Sequence, residues 1–269
     1  MTAKQRIYIT GGSSGIGLGL ARHYASAGND LVLLARDQSK LDAAVSACRD
    51  LAVNAGQVIA AVSLDITAYD KLAMRMDSVV FDYGSPDLLI LSAGIAGNKI
   101  FLDTSAAEFD RMVDINLAGS REVARTLLPA MLQRGSGQIA FVSSIAGLMG
   151  IYGYSAYSAS KFAVTGLSQA LRQELAGTGV SVHLVCPPEV NTPMIQAESL
   201  AAVPQTRFLK DLVGTLEPDV VARKIARGID RRKALIVPGV RAGLMVWTSR
   251  HFPGLFAWSS ERLLRWKFG

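Results

Sequence analysis

Cysteine is scarce in this chain of 269 residues, which contains only Cys48 and Cys186. Two cysteines without paired spacing exclude a disulfide scaffold and favour a reducing compartment. Long apolar runs are missing too, because no stretch of about 18 uncharged apolar residues occurs, which argues against a membrane-spanning helix. No signal-peptide apolar region precedes the first apolar run. We therefore expect a cytoplasmic protein, with membrane contact that is at most peripheral.

Acidic residues are scarce at the C-terminal end. The segment Arg223–Gly269 contains eleven Lys and Arg residues against two Asp and Glu, whereas the whole chain has a net charge of +6. The rest of the chain is therefore mildly acidic. A basic segment on an acidic body suggests an anionic surface as a partner.

Short aliphatic runs alternate with helical patterns along the whole chain, and half of the residues are hydrophobic. The predicted strands are Arg6–Thr10, Leu31–Ala35, Val58–Leu64, Leu88–Leu91, Gly137–Ser144, Val180–Cys186 and Ala234–Val237. Strands that alternate with helices predict an α/β fold with a parallel, doubly wound, Rossmann-type sheet of seven strands. We expect one domain over residues 1–238, followed by a tail over residues 239–269.

A glycine-rich segment, TGGSSGIG, follows the first predicted strand and precedes a helix. Gly11 permits a tight turn, Gly15 lets the backbone approach a pyrophosphate, and Gly17 lets the helix pack on the strand. The N-terminus of the helix offers free N–H groups to phosphates. The segment predicts a dinucleotide site formed by Gly11, Ser13, Ser14, Gly15, Ile16 and Gly17.

The residue after the second predicted strand is Arg36, not an acid. In this type of fold an acid at that place binds the ribose 2′-OH of NAD, whereas an arginine accommodates the 2′-phosphate of NADP. Asp37 follows directly and is the competing candidate. We predict NADPH as the cofactor.

Tyr157 and Lys161 lie four residues apart on a helix that is predicted from Ser155 to Leu175. Side chains at this spacing share a face. A tyrosine hydroxyl ordinarily has a pKa of ~10, and a nearby ammonium lowers that pKa towards the range useful for acid–base catalysis. Ser144, at the end of the fifth strand, is placed to hydrogen-bond the same substrate oxygen. Taken alone, the pair also fits a buried tyrosine and a solvated lysine.

Together, TGGSSGIG and the Ser144…Tyr157-x-x-x-Lys161 set resemble the short-chain dehydrogenases/reductases, from about Arg6 to Ile236. The resemblance implies a catalytic set of Asn116, Ser144, Tyr157 and Lys161, and no metal. Asn116 would hold a water in a proton relay, although a solvent-facing asparagine is the alternative. The resemblance also implies cofactor contacts from Asp65, Ile66, Ala93, Gly94, Tyr157, Lys161, Pro187, Val190 and Thr192.

Two further expectations come with the family. Ser92 stands where the family usually has Asn, which puts the contacts of that loop in question but not the fold. Family members usually pair through the helices that hold Asn116 and Tyr157, so a homodimer or homotetramer is expected.

The run SSIAGLMGIYGYSAYSASKFAV and the segment PPEVNTP resemble the 3-ketodihydrosphingosine reductases within this family. This likeness implies reduction of a long-chain 3-keto sphingoid base at a membrane surface. The alternatives are another soluble ketone, a 3-ketoacyl thioester, or a nucleotide-binding regulator without catalysis, against which the intact Ser144, Tyr157 and Lys161 argue. Substrate contacts are expected from Met149, Ile151, Tyr152 and an irregular substrate loop within residues 189–216.

The tail contains all three tryptophans, Trp247, Trp258 and Trp266, interleaved with arginines. Aromatic residues mixed with cations are typical of a segment at a membrane interface. Pro253 divides the tail into two short helices, which would lie on a bilayer and not cross it. The alternative is a tail that packs on the body or on a partner subunit. No recognised nucleic-acid motif accompanies it.

Overall fold

A parallel sheet forms the centre of the molecule. The structure, a computed structural model, describes residues 4–199 and 202–269; residues 1–3 and residues 200–201, which belong to the predicted substrate loop, lie outside the described residues. The strands of the described chain are β1 (Arg6–Thr10), β2 (Asp30–Ala35), β3 (Ile59–Ser63), β4 (Leu88–Leu91), β5 (Gly137–Val142), β6 (Val180–Val185) and β7 (Leu235–Ile236). They pair in the order β3-β2-β1-β4-β5-β6-β7, all parallel. The predicted seven-stranded, doubly wound sheet is confirmed.

Helices cover both faces of the sheet. They are α1 (Gly15–Ser26), α2 (Gln38–Arg49), α3 (Tyr69–Tyr83), α4 (Ala106–Val113), α5 (Ser120–Arg134), α6 (Ser155–Glu174), α7 (Pro193–Ser199), α8 (Pro204–Val213), α9 (Pro218–Asp230), α10 (Val240–His251) and α11 (Pro253–Phe268). One apolar cluster packs α1, α2 and α9 on one face, and a second packs α3, α5 and α6 on the other. Because β4 is buried on both faces, its aliphatic run is continuous and does not alternate with polar residues.

The order of the strands reverses between β1 and β4: from β1 the chain adds β2 and β3 towards one edge of the sheet, and from β4 it adds β5, β6 and β7 towards the other. In open α/β sheets this reversal creates a crevice at the carboxyl ends of the strands. The glycine turn follows β1, Ser92 follows β4, and Ser144 lies just beyond β5. The fold therefore collects the predicted site segments at one edge of the sheet.

The helical segment that holds Asn116 is continuous from α4 to α5, but its middle, Asp114–Gly119, is π-helical. One prediction of local structure needs correction. The substrate loop was predicted to be irregular, and this is wrong for the described part, which contains α7 and α8. The reason is that Pro204 starts α8, a position where proline is favourable because the first helical N–H needs no partner.

The predicted division of the tail at Pro253 is confirmed, since α10 ends at His251 and α11 begins at Pro253. Among the described residues, no helix combines the length and the apolar character needed to span a bilayer.

Candidate active site

A cavity of about 260 Å³ opens at the carboxyl edge of the sheet. Three of the predicted catalytic residues, Ser144, Tyr157 and Lys161, lie on its wall. The predicted cofactor residues on the wall are Gly11, Ser14, Gly15, Ile16, Ala93, Gly94, Tyr157, Lys161, Pro187, Val190 and Thr192. The other predicted site residues, Ser13, Gly17, Arg36, Asp65, Ile66 and Asn116, are not part of this wall.

The glycine turn leaves a shelf that a side chain would fill. Gly11 has φ +68°, and a Cβ there would lie 2.9 Å from Ala93 Cα. Gly15 has φ +53°, and its Cβ would lie 3.1 Å from Thr192 Cγ2. Only glycine combines this left-handed backbone with this clearance. The shelf beside the N-terminus of α1 therefore fits a pyrophosphate, as expected from the sequence.

Gly17 and Ile66 lie outside the cavity wall and pack against the backbone segments next to it. A Cβ on Gly17 would collide with the carbonyl oxygen of Gly11, so the first turn of α1 packs directly on the glycine turn. Ile66 is buried, and its Cδ1 would lie 2.7 Å from a Cβ on Gly119 in the π-helical turn. Both residues act on the position of the backbone around the cavity.

Thr10 holds the loop that follows β4. Its Oγ1 accepts hydrogen bonds from the backbone N–H groups of Ser92, at 3.1 Å, and Ala93, at 3.2 Å. The loop is therefore anchored through its backbone. Ser92 replaces the usual asparagine without removing these two contacts.

Arg36 and Asp37, the two candidates for cofactor selection, differ in how they are engaged. The Asp37 carboxylate accepts from Lys40 N at 3.1 Å and from Ser39 Oγ at 2.8 Å, so it caps α2. The Lys40 backbone bond is the main reason why the pKa of Asp37 is lowered. Arg36 is exposed at the end of β2. The Asp37 carboxylate, which would otherwise bind a ribose hydroxyl, is thus occupied as the cap of α2, whereas Arg36 is an exposed cation.

Asp65, at the end of the neighbouring strand, is exposed and belongs to the same corner. Its Oδ1 accepts from Thr67 N at 2.9 Å and Thr67 Oγ1 at 2.7 Å. Burial acts to raise the pKa of Asp65, but these bonds and the charge of Arg36 outweigh it and leave the pKa below its ordinary value.

Lys161 is buried, with 5% of its surface exposed. Its Nζ donates to the carbonyl oxygen of Val142 at 3.0 Å, and burial lowers its pKa to about 8. The Nζ lies 5.7 Å from the centroid of the Tyr157 ring. The alternative of a solvated lysine is therefore wrong, because α6 places this amine inside the cavity wall beside the tyrosine.

Asn116 is also buried, with 1% exposed, so the solvent-facing alternative is wrong. Its Oδ1 accepts from Ile95 N at 2.8 Å, and its Nδ2 donates to Ile95 O and to Ser160 Oγ, both at 2.9 Å. Ser160 Oγ in turn donates to Tyr157 O at 2.8 Å. Asn116 lies in the π-helical turn, a feature that is frequent at functional sites. Its amide joins the loop after β4 to the helix that carries Tyr157.

Ser144 lies at the entrance to a short 3₁₀ turn and faces the cavity. Its Oγ accepts from Ala146 N at 3.1 Å. A serine hydroxyl that accepts in this way still has its own O–H to donate. Ser144 is therefore fixed in position and able to hydrogen-bond an oxygen in the cavity.

The opposite wall is apolar and includes residues that sequence reasoning missed. The predicted Met149, Ile151 and Tyr152 line it, together with Leu209, Val213, Met245, Phe256, Ser260 and Leu264. The last three lie four residues apart on α11, and this spacing was the available sequence signal. The tail thus contributes directly to the cavity.

The two faces of α11 differ. Phe256, Ser260 and Leu264 face the cavity, whereas Trp258 and Trp266 are 58% and 78% exposed. The guanidinium of Arg262 lies 5.4 Å from the Trp258 ring. The helix therefore packs on the body through one side and presents cations and aromatic rings on the other.

The end of the tail is also in contact with the body. Phe268 packs edge-on against Phe208 of α8, with ring centroids 5.9 Å apart. The interpretation that the tail packs on the body is confirmed for these contacts.

Comparison with known proteins supports a common ancestry. The model of the short chain dehydrogenase family matches residues 5–202. The 3-dehydrosphinganine reductase TSC10B of Arabidopsis thaliana is 38% identical over 85% of this chain and 68% of its own length. The 3-ketodihydrosphingosine reductase of Bos taurus is 33% identical over 82% of this chain and 67% of its own length.

Solved structures show the same architecture. A short-chain dehydrogenase from Sphingobium yanoikuyae in complex with NADPH superposes with a TM-score of 0.78 at 29% identity, covering 94% of this chain and 95% of that one. One from Burkholderia phymatum in complex with NAD gives a TM-score of 0.81 at 25% identity, with the same coverage.

Proposed function

This chain belongs to the short-chain dehydrogenase family, and on that premise we propose that it reduces a ketone to a secondary alcohol with NADPH. The proposed substrate is 3-ketodihydrosphingosine. The observation that carries the proposal is the buried amine of Lys161 beside the Tyr157 ring, on the wall of a cavity whose opposite side is apolar.

The residues present fit an NADPH molecule. The open shelf at Gly11 and Gly15 would take the pyrophosphate, and the exposed Arg36 would take the 2′-phosphate because Asp37 is occupied as a helix cap. Asp65 and Ile66 would lie beside the adenine, and Thr192, next to Gly15, would contact the phosphates. The Val190 backbone would meet the nicotinamide amide, and Lys161 would hold the ribose. When bound, NADPH supplies the hydride for the carbonyl carbon.

The protein's own contribution is to control the substrate oxygen. Tyr157 gives its hydroxyl proton to that oxygen as negative charge builds there, and Ser144 donates a hydrogen bond to it. The charge of Lys161 favours the phenolate of Tyr157 and so lowers the cost of the transfer. Asn116 supports the relay that returns the proton, since its amide joins Ile95 to Ser160.

The apolar wall supports a long-chain substrate. Met149, Leu209, Met245, Phe256 and Leu264 offer hydrocarbon surface to a chain, and none of them offers a charge. Each buried methylene contributes about 0.8 kcal/mol, so a long chain gains affinity from such a wall. The two relatives named for 3-ketodihydrosphingosine or 3-dehydrosphinganine point in the same direction.

We also propose that the protein works on the cytoplasmic face of a membrane. The exposed face of α11 carries Trp258, Arg262 and Trp266, a composition that suits an anionic lipid surface. A substrate with a long chain stays in the bilayer, so a site walled by this helix would be close to it. The two cysteines are free and buried, which suits a reducing compartment.

The proposed assembly is a homodimer or homotetramer that pairs through α5 and α6. Leu132 on α5 is 39% exposed and Phe162 on α6 is 44% exposed, so both helices present apolar side chains to solvent. Light scattering of the purified protein tests this proposal, and a monomer at all concentrations would contradict it.

Turnover of a ketone panel tests the function. We expect consumption of NADPH with 3-ketodihydrosphingosine, at a kcat/KM well above that for short soluble ketones. Short ketones lack the hydrocarbon chain that the apolar wall would bind. A higher kcat/KM for a 3-ketoacyl thioester of the same chain length would favour the alternative substrate. Absence of turnover with every ketone would favour the alternative that the protein is a nucleotide-binding regulator without catalysis.

A further inference from the structure

A partly buried ion pair lies on the cavity wall, and the proposed chemistry does not use it. Glu189 Oε2 is 2.7 Å from Lys210 Nζ, and each side chain is 14% exposed. Glu189 follows Pro187 and Pro188 in the loop after β6, whereas Lys210 comes from α8. Both residues line the cavity.

The pair is positioned by neighbours on both sides. Thr215 Oγ1 donates to Glu189 Oε1 at 2.9 Å. Lys210 Nζ lies 5.2 Å from the centroid of the Tyr154 ring, and that ring lies 5.3 Å from the ring of Tyr157. One aromatic ring therefore separates the ion pair from the proposed proton donor. Glu189, Lys210 and Tyr157 all line the same cavity, so a single bound substrate can contact both the ion pair and the proton donor.

An ion pair that is shielded from water is weak evidence of a stabilising role. Two charges lose hydration when they are buried, and apolar residues of similar volume are often equally stable in such places. A carboxylate in a cavity has a further use, because it accepts strong, charge-assisted hydrogen bonds from an ammonium group. The surrounding wall is apolar, so Glu189 is a distinctive anchor for a cationic substituent.

We propose that Glu189 and Lys210 form a specificity subsite for an amine on the carbon beside the ketone. Glu189 accepts from the ammonium group, and Lys210 compensates the carboxylate before substrate binds. The inference rests on the proposed function, because 3-ketodihydrosphingosine carries an amino group at that carbon. A 3-ketoacyl thioester has no ammonium there, so the subsite also explains how the two substrate classes would be distinguished.

The test compares two ketones of equal chain length, 3-ketodihydrosphingosine and its analogue without the amino group. The quantity measured is the ratio of their kcat/KM values with NADPH. Glu189→Gln keeps the shape but removes the charge, and we expect the preference for the amino ketone to fall about 10- to 100-fold. Glu189→Asp keeps the carboxylate and should retain most of the preference.

Lys210→Met is the matched variant on the other side of the pair. It leaves the carboxylate in place, so the ammonium of the substrate would take the position of the lysine charge. We expect the preference for the amino ketone to be maintained or to rise, which is opposite to the effect of Glu189→Gln. If the ion pair had only a structural role, Glu189→Gln and Lys210→Met would have the same effect on the preference for the amino ketone.

Different outcomes contradict the proposed subsite and the proposed function. Equal losses on both ketones in Glu189→Gln, with the ratio unchanged, would overturn the subsite, as would a wild-type enzyme that shows no preference. Wild-type protein that reduces neither ketone would instead contradict the proposed function. Thermal unfolding and NADPH affinity show whether each variant is folded. If Lys210→Met does not fold, the comparison of Glu189→Gln with Glu189→Asp still tests the subsite.

Discussion

The two walls of the cavity are built in different ways. The cofactor wall consists of backbone and small residues at strand ends, such as Gly11, Gly15 and the loop held by Thr10. The substrate wall consists of large side chains from α8, α10 and α11. The first wall is determined by local backbone geometry, and the second by how distant helices pack. Substitutions on the two walls should therefore change different properties of the enzyme.

Of the effects on the two sides of the cavity, the larger is expected on the cofactor side, at Arg36, which lies outside the cavity wall itself. Arg36→Asp replaces a cation that would bind the 2′-phosphate by an anion that would repel it, so the preference for NADPH over NADH should fall roughly 100- to 1,000-fold. The measurement is kcat/KM for each cofactor at a saturating ketone concentration. Asp37→Ala is the control: it removes the cap of α2 and should lower stability without altering the cofactor ratio. An unchanged ratio in Arg36→Asp would show that another residue reads the phosphate.

The second prediction concerns the buried amine between the two walls. Burial lowers the pKa of Lys161 from its ordinary value of 10.5 to about 8 in the folded protein, so the unfolded chain binds more protons between these pH values. Stability of the wild type therefore gains from this group as pH rises from about 8 to 10.5. Lys161→Met lacks this gain, so its stability relative to wild type should fall over that window by about 3 kcal/mol.

Denaturant unfolding of both proteins at several pH values, without cofactor, measures this difference. A constant difference across the window would mean that the amine is not desolvated in the folded state.

The smallest effect is expected at the substrate wall, where many side chains share the contact. Leu264→Ala removes hydrocarbon from the cavity side of α11 and should lower kcat/KM for a long-chain ketone about 10-fold, with little change for a short one. Leu255→Ala is the matched control on the same helix, because Leu255 is 62% exposed and is not part of the cavity wall. Equal effects of the two substitutions would mean that α11 does not bind the substrate chain.

The same difference between the walls explains what the sequence could predict. The glycine turn and the Tyr157–Lys161 pair depend on spacing over a few residues, so their places in the fold were predictable. The contribution of Phe256 and Leu264 depends on tertiary packing between the tail and the body. The Glu189–Lys210 pair joins the loop after β6 to α8 across a segment that was predicted to be irregular. The spacing of Phe256, Ser260 and Leu264 indicates a shared helix face but not what that face packs on, and the Glu189–Lys210 pair has no local signal.

Asn116 illustrates an intermediate case. An asparagine inside a helical pattern is unfavourable by propensity, so its presence there is itself a sequence signal. The partners of its side chain, Ile95 and Ser160, lie far away in the sequence, so these contacts have no comparable sequence signal.

The central claim is that the Tyr157 hydroxyl protonates the substrate oxygen, and Tyr157→Phe tests it most directly. The phenyl ring keeps the shape of the site, so the variant should bind NADPH as the wild type does. Its rate of ketone reduction in single-turnover experiments should fall about 100- to 10,000-fold, the usual contribution of a general acid. A variant that reduces the ketone as fast as the wild type would contradict the account.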